Sequence, residues 1–351
     1  MTPSNVDLAE LLSREAGSHE GRRERALRRA ARLALTWPEE AAAAAGPGGR
    51  LTDLRGVGPW IAEFLADWIE HPPDLEEPPP ERASFMSMAE ARRVLDERPT
   101  WRTAVRGDLQ VHTTWSDGRA SLGEMAAAAR ALGHEYVGVT DHSKGLPIAR
   151  GMDEETLLRE LEEIDETNLG LRNEGFRVLR SLEMNLSPEG EGDMDPSALA
   201  RLDLVLGAFH SKLRLQEDQT ERYLAAVRNP EVHVLAHPRG RRYGVRVGLS
   251  ADWERVVAEA ARTGTALEVD CFPDRQDLDV PTLRLAAEAD AWISIGTDAH
   301  RPDELRSIEL GLASVALAGV RPERVLNLMS ADEIVEWAKG SELAAGFEPA
   351  T

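Results

Sequence analysis

Seven short apolar runs, each of β-strand length, recur along the last two-thirds of the chain. Segments with helical spacing separate them and carry helix-end signals: Glu124 follows Ser121 by three residues, and Glu333 follows Ser330, with Gly340 as a predicted helix end. Repeated strand–helix units favour a parallel sheet with right-handed crossovers, and seven or eight of them favour a closed α/β barrel. The runs lie near residues 107–112, 135–140, 177–183, 203–209, 232–236, 265–270 and 291–297.

Imidazole and carboxylate side chains close several of these runs. In parallel barrels the chemistry lies at the carboxyl ends of the strands, so these side chains are expected to meet there. Neutral imidazole and carboxylate bind borderline-hard divalent ions, and the pattern therefore indicates a multinuclear metal hydrolase. The residues at these positions are His112, His142, Glu183, His210, His237, Asp298 and His300.

The first third of the chain has a different pattern. Residues 22–35 and 60–70 have helical character, whereas residues 71–82 are too rich in proline for a helix interior and too acidic to be buried. The predicted organisation is a small all-α domain over residues 1–70, a proline-rich connector over 71–104, the barrel over 105–343 and a tail over 344–351.

Composition limits the possible environments and partners. The single cysteine, Cys271, cannot form an internal disulfide, no apolar stretch reaches transmembrane length, and the N-terminus lacks a signal segment, so a cytoplasmic protein is predicted. A net charge of −21 opposes extended electrostatic wrapping of nucleic acid. Any DNA contact is therefore expected to be short and local.

Taken in order, the motifs resemble those of the polymerase and histidinol phosphatase superfamily over roughly residues 105–340. Within it the chain is most similar to the C-terminal phosphoesterase domain of bacterial family X DNA polymerases, on the stretches Asp141-His-Ser-Lys and Ser294-Ile-Gly-Thr-Asp-Ala-His. The ordered motifs are Asp108-Leu-Gln-Val-His112, Ser116-Asp117-Gly118, Thr140-Asp-His142, Glu183, Phe209-His210-Ser211, Ala236-His237-Pro238 and Thr297-Asp298-Ala-His300.

This resemblance implies a distorted seven-stranded barrel that binds two or three divalent ions, zinc, manganese or iron. Such ions make a water molecule available as a nucleophile and neutralise charge on a phosphate. Carried over by position, the ligands are His112, Glu183 and Asp298 for the first ion, a bridging Glu183 with His210 and His237 for the second, and Asp117, His142 and His300 for the third. Catalysis is expected to depend on Glu183, Asp298 and His210.

One position departs from the family pattern in a way that matters. The first motif often contains two histidines, and Gln110 replaces the first of them here. An amide oxygen is a weaker, uncharged ligand, which predicts a first ion that is either loosely held or bound mainly through the other three ligands. Asn185 also stands where an aspartate is common, with no clear consequence at this level.

Arginines near the predicted strand ends are candidates for substrate binding. Arg239 follows the His237-Pro238 strand end, and Arg275 follows the strand that ends near Asp270. A planar guanidinium suits phosphate oxygens, so both are expected to contact the substrate phosphate. The alternative is that they are solvated loop arginines.

The segment Leu54-Arg-Gly-Val-Gly58-Pro resembles a helix-hairpin-helix motif. In such motifs a glycine-containing turn offers backbone N–H groups to a DNA phosphate, so Gly56, Gly58 and Arg55 are the predicted DNA contacts. With the helix before it, the segment is similar to the N-terminal domain of family X polymerases. The alternative is a packing unit that does not bind DNA. The connector over 71–104 is too short for a polymerase palm domain.

Three functions remain open from the sequence. The first is a metal-dependent phosphoesterase on DNA ends, as a 3′–5′ exonuclease or a 3′-phosphatase. The second is a phosphatase for small phosphomonoesters of the histidinol phosphatase type. The third is a DNA-end or protein-interaction scaffold without catalysis, whose metal site is structural.

Overall fold

The computed structural model describes residues 2–46 and 49–345; of the predicted tail, residues 346–351 lie outside the described residues. The helices are α1 (Asn5–Ala16), α2 (Gly21–Ala34), α3 (Ala41–Ala44), α4 (Pro59–Glu70), α5 (Met88–Glu97), α6 (Pro99–Ala104), α7 (Leu122–Ala131), α8 (Glu154–Leu171), α9 (Pro196–Leu199), α10 (Thr220–Arg228), α11 (Trp253–Thr263), α12 (Val280–Glu288), α13 (Ile308–Ala318) and α14 (Ala331–Ala345). The strands are β1 (Gly107–Val111), β2 (Tyr136–Val139), β3 (Arg177–Asn185), β4 (Leu204–Ala208), β5 (Val234–Ala236), β6 (Ala266–Asp270) and β7 (Ile293–Gly296). Within these ranges, no helix is long and apolar enough to cross a membrane.

The seven strands form one parallel sheet in the order β1 to β7, which confirms the predicted seven-stranded α/β barrel. Their residues are almost all buried, as expected for strands covered on both faces, and this burial is why they read as continuous apolar runs. Backbone bonds from Asp298 N to Gln110 O (3.0 Å) and from His112 N to Ala299 O (2.8 Å) join the two sheet edges. At the other end, the Asn327 side chain bonds both Gly107 O (2.9 Å) and Ile295 N (2.7 Å), so the barrel is nearly closed.

Helix α14 covers the amino end of the barrel. Ile334 and Ala338 pack into the apolar cluster at the foot of the strands, and the Trp337 ring meets Trp292. Ser330 and Glu333 cap the start of α14 as predicted, with Ser330 N donating to Glu333 Oε2 at 2.7 Å. The predicted end at Gly340 is wrong because α14 continues to Ala345; one exposed glycine costs a helix only about 1 kcal/mol.

The N-terminal helices form their own apolar core and dock against the barrel. Leu12, Leu27 and Leu65 are among the buried residues of this core, which also contains Tyr243 from the barrel. The Tyr243 ring meets Phe85 edge to face at 5.1 Å, and its hydroxyl lies 3.2 Å from Ser13 Oγ. The helical unit and the barrel therefore share a packed contact.

The connector predicted over residues 71–104 contains two different structures. Up to residue 82 it has no helix or strand, in agreement with its prolines. Residues 88–104 instead form α5 and α6, and Val94 and Leu95 of α5 belong to the barrel core. Gln276 also bonds both backbone groups of Met86 at 2.8 Å. The second half of the connector therefore packs as part of the barrel, because α5 places an apolar face against it.

Candidate metal centre

Glu183 lies at the centre of a ring of imidazoles at the carboxyl end of the barrel. Its Oε1 is 2.7 Å from His237 Nε2 and 3.0 Å from His210 Nε2. Its Oε2 is 3.3 Å from both His112 Nε2 and His142 Nδ1. Glu183 is fully buried, so each carboxylate oxygen faces two imidazoles away from bulk water.

Two further carboxylates extend this cluster towards the surface. Asp298 Oδ1 lies 2.9 Å from His112 Nε2. Asp117 Oδ1 lies 3.2 Å from His300 Nε2 and 3.6 Å from His142 Nε2. The side chains predicted from six strand ends and one loop therefore converge on one site.

Three overlapping groups of side chains have ligand atoms close enough to hold an ion. Within each group all the ligand atoms lie within 4.8 Å of one another: the groups are His112, Glu183 and Asp298; His142, Glu183 and His210; and His112, Asp117, His142 and His300. The first is the set assigned to the first ion, and the last contains the set assigned to the third. The second pairs Glu183 and His210 with His142 in place of His237, whose Nε2 faces Glu183 directly. The assignment of ligands to ions stays a prediction.

Two of the converging residues have an unusual backbone conformation. His237 has φ 28° and Asp298 has φ 52°, in the left-handed region that side chains other than glycine rarely adopt. The surrounding structure holds both, since His237 N donates to Glu268 Oε2 at 2.7 Å and Asp298 N donates to Gln110 O. Strain of this kind is typical of functional sites, where it directs a side chain into the centre.

Hydrogen bonds outside the centre orient the imidazoles. His210 Nδ1 lies 3.1 Å from Asn185 Oδ1, and His300 Nδ1 lies 2.8 Å from the Asp298 carbonyl oxygen. Because both partners are oxygen acceptors, each Nδ1 carries the proton and each Nε2 faces the centre. Asn185, for which the sequence pattern indicated no role, therefore orients His210.

The cluster changes the protonation of its members. Burial alone would raise the pKa of Glu183, but His142, His237 and His210 outweigh burial and hold it well below its usual value. Burial also opposes ionisation of Asp117 and His300, yet their contact lowers the pKa of Asp117 to about 2 and raises that of His300 to about 9. Burial lowers the pKa of His142 to about 4, which leaves a neutral imidazole.

Several polar atoms of the cluster are buried without a hydrogen-bond partner in the part of the chain that the structure describes. They include both nitrogens of His112, Nδ1 of His142 and Oε2 of Glu183. Gln110 is also completely buried beside Gly296, and neither atom of its amide is bonded there. Buried polar groups normally have partners, and divalent ions would supply them for imidazole and carboxylate.

A cavity of about 400 Å³ opens above the cluster. Both candidate metal ligands and cationic side chains line it. Arg275 lies there, 3.1 Å from Asp298 Oδ2, whereas Arg239 is not part of the lining and instead pairs with Asp279 at 2.6 Å. The lining of the cavity includes Asp117, Asp298, His300, Arg119, Arg242, Arg275 and Arg301. The sequence interpretation missed Arg119 and Arg301, although each lies within two residues of a ligand motif and that proximity was a usable signal.

The turn that resembles a helix-hairpin-helix lies close to the same rim. Gly56 has φ 84°, a backbone conformation that favours glycine, and an added Cβ would also displace the end of the Leu33 side chain. Gly58 precedes α4 and has open space around it. Arg55 Nη1 lies 4.0 Å from Asp303 Oδ2, three residues beyond His300. The turn therefore lies beside the segment that follows a candidate metal ligand; its DNA contacts stay predictions.

Comparison with known proteins finds relatives that match about two-thirds of the chain. The DNA polymerase/3′-5′ exonuclease PolX of Bacillus subtilis is 35% identical over 239 residues, which cover 68% of this chain and 42% of that protein. The chain thus spans less than half of that relative. A protein described as a probable phosphatase from Syntrophotalea carbinolica is 30% identical over 233 residues, 63% of this chain and 90% of that protein.

A solved structure gives a looser likeness. Histidinol phosphate phosphatase from Lactococcus lactis, complexed with zinc, L-histidinol and phosphate, is 14% identical, with a TM-score of 0.38 over 69% of this chain and 94% of that one. No family model matches the chain.

Proposed function

The chain belongs to the polymerase and histidinol phosphatase superfamily, and on that premise we propose that it hydrolyses phosphoesters at DNA ends with a cluster of two or three divalent ions. The observation that carries this proposal is the convergence of five histidines, Glu183, Asp117 and Asp298 in one cluster that borders a cavity. Zinc, manganese or iron suits this ligand set, since imidazole and carboxylate bind all three.

The side chains of the cluster are of the types that bind such ions, and they lie close enough together to do so. Glu183 belongs to two of the three ligand groups and is the candidate bridge. His112, with Asp298, and His210, oriented by Asn185, would hold the two ions on either side of it. When bound, divalent ions lower the pKa of a water molecule and neutralise phosphate charge.

The arginines of the cavity have a separate task. Arg275 contacts Asp298 at 3.1 Å and Asp270 at 3.4 Å, so two carboxylates fix the direction of its guanidinium. Arg119 is exposed in the same cavity and has no fixed partner among the described ion pairs. A fixed and a free guanidinium beside the ligands suit the oxygens of a phosphate ester and would orient it for hydrolysis.

DNA ends are the favoured substrate because of the N-terminal unit. Its glycine turn lies beside the segment that follows His300, so a strand that contacts the turn would have its end near the cavity. The relative from Bacillus subtilis carries the name of a polymerase and 3′–5′ exonuclease, which supports the same choice.

The test is release of nucleotide or phosphate from end-labelled single-stranded and nicked DNA in the presence of manganese. We expect Glu183→Gln and Asp298→Asn each to reduce turnover by at least about 100-fold, because each removes a charged ligand. His71→Gln is the control, since this exposed histidine lies in the connector away from the cluster. Equal turnover in all four proteins would contradict the proposal.

A second candidate is hydrolysis of small phosphomonoesters. The relative described as a probable phosphatase is matched over 90% of its length by only 63% of this chain, which favours a phosphatase unit that acts alone. A kcat/KM for p-nitrophenyl phosphate that exceeds that for a 3′-phosphorylated oligonucleotide would support this alternative.

A further inference from the structure

A short hairpin next to the metal cavity carries two arginines that the proposed reaction does not use. Arg242 and Arg246 exchange both backbone hydrogen bonds at 2.9 Å, which closes a tight turn. Tyr243 N donates to Asp274 O at 2.7 Å and Gly244 N to Glu81 O at 2.9 Å, so the barrel and the connector both fix the hairpin. The position of its arginines is therefore set by the fold.

Among the described residues, no carboxylate forms an ion pair with Arg246, and its Nε is buried without a hydrogen-bond partner. Burial lowers the pKa of Arg246, and the nearby positive charges of Arg275, Arg242 and Arg214 lower it further, against a smaller opposing effect of Asp277. Arginine stays charged under such conditions, so several like charges are held together here. A bound anion would relieve both the repulsion and the missing hydrogen bond.

The hairpin separates the metal cavity from a second groove. Arg242 lines the metal cavity, whereas Arg246 and Arg214 line a groove of about 540 Å³ on the other side. Val245 and Val247, on either side of Arg246, are each 45% exposed. The groove thus combines two arginines and one carboxylate, Glu81, with apolar surface on which a base can lie, and guanidinium groups suit phosphate.

We propose that this groove binds the backbone phosphate next to the scissile one in single-stranded DNA. The inference rests on the proposed function and specifies its substrate as a strand with more than one phosphate. A small phosphomonoester has one phosphate, which the metal cavity accommodates, and would leave the groove without a ligand. A strand that ends in the metal cavity must cross its rim, and Arg242 lies between the cavity and the groove. Because the chain carries a net charge of −21, such a local site is the form of DNA binding that its charge allows.

The experiment measures binding separately from turnover. The probe is fluorescein-labelled (dT)8 with phosphorothioate linkages, and the readout is its Kd by anisotropy over a range of salt concentrations. The double variant Arg214→Gln/Arg246→Gln should raise the Kd about tenfold or more. It should also reduce the slope of log Kd against log salt by about 0.7, since the groove binds one phosphate and each phosphate contact in a single strand contributes about 0.7. Its kcat/KM for p-nitrophenyl phosphate should not change.

Arg172→Gln is the matched control. Arg172 is an exposed arginine between α8 and β3, at the amino end of the strands, and it should affect neither quantity. Arg246→Lys retains the charge and should lose less binding than Arg246→Gln, which excludes a folding defect as the cause.

Three results would overturn the proposal. These are an unchanged Kd and salt slope in the double variant, a wild-type protein that does not bind (dT)8, and an equal loss of p-nitrophenyl phosphate turnover and of (dT)8 binding. A wild-type protein that binds (dT)8 through these arginines but hydrolyses no ester would refute the proposed function and leave the groove in place.

Discussion

Gln110 is the position at which this centre departs most from a set of metal ligands made up of imidazoles and carboxylates. Its amide is buried and unbonded in the described structure, two residues before His112. We expect Gln110→His to add a stronger ligand and to lower the Kd of the first ion roughly tenfold. Competition with a chelating dye measures this change. Gln110→Leu, similar in size and without a ligand atom, should not tighten binding; equal metal affinity in the wild type and Gln110→His would contradict a ligand role at this position.

His300 predicts a pH dependence of metal binding. Asp117 raises its pKa to about 9 against the opposing effect of burial, so the imidazole is protonated at pH 7 in the metal-free protein. An ion must displace this proton. The apparent affinity of that ion should therefore rise about tenfold per pH unit from pH 7 to 9 and then level off.

The same proton stabilises the metal-free fold. Because the pKa of His300 is raised above its unfolded value of about 6.5, this contribution is complete below pH 6.5 and is lost as pH rises through about 9. Metal titrations and chemical unfolding at several pH values check both trends. His300→Gln should remove the pH-dependent component of affinity, and a wild-type affinity that does not vary with pH would count against protonated His300.

At the scale of elements, the start of α4 allows a test that separates folding from DNA binding. Gly58 has an ordinary negative φ and open space, so Gly58→Asp should fold and, as an N-cap, stabilise α4 by a few tenths of a kcal/mol. Its negative charge would repel a phosphate at the turn, and we expect the Kd for (dT)8 to rise roughly tenfold. Gly58→Asn supplies a similar cap without the charge and should bind (dT)8 as the wild type does. Equal binding by both variants would favour the packing-unit alternative.

Helix α5 tests whether residues 88–104 belong with the barrel. Leu95 is completely buried in the barrel core, so Leu95→Ala should lower the free energy of unfolding by about 2–5 kcal/mol. Arg93→Ala, on the exposed side of the same helix, should change it by no more than about 0.5 kcal/mol. Denaturant unfolding measures both; a small effect of Leu95→Ala would indicate that this segment is only a connector.

The strands could be predicted from the sequence, whereas the connector could not. A strand buried on both faces is a continuous apolar run, and a parallel barrel brings the carboxyl ends of such runs together, so the positions of His112 and Glu183 follow from pattern alone. The apolar positions of α5 begin just after a proline-dense segment. The prolines extended the predicted connector over α5, so the sequence did not predict this helix as part of the barrel.

The finer geometry of the site depends on tertiary contacts. Whether His142 or His237 groups with Glu183 and His210 depends on the left-handed backbone at His237 and its bond to Glu268. No local sequence signal reports these. The arginines near the strand ends are a mixed case. Arg119 in the cavity adjoins a ligand motif, whereas Arg239 is held outside the cavity by its pairing with Asp279, 40 residues further along the chain.

At the scale of the whole molecule, the candidate ligands link strands that are distant in sequence. The three ligand groups draw on the ends of β1 to β4 and β7, and Glu183 on β3 takes part in two of them. Bound ions would therefore cross-link strands on both sides of the gap between β1 and β7. Ions that bind only the folded barrel must stabilise it by mass action, by about 2.7 kcal/mol at 100 times their Kd.

The expected outcome is a melting temperature several degrees higher in manganese or zinc than in a chelator, as measured by scanning calorimetry. Glu183→Gln should lose most of this gain because it weakens two ion sites together, while the exposed His71→Gln should retain it. Identical melting of wild type with metal and with chelator would argue against resident ions. Melting temperature and activity measured together decide the function. A full gain in stability from metal without hydrolysis of any ester would indicate a structural metal site. If the gain in stability and the turnover both depend on Glu183, the same ions hold the barrel together and support its chemistry.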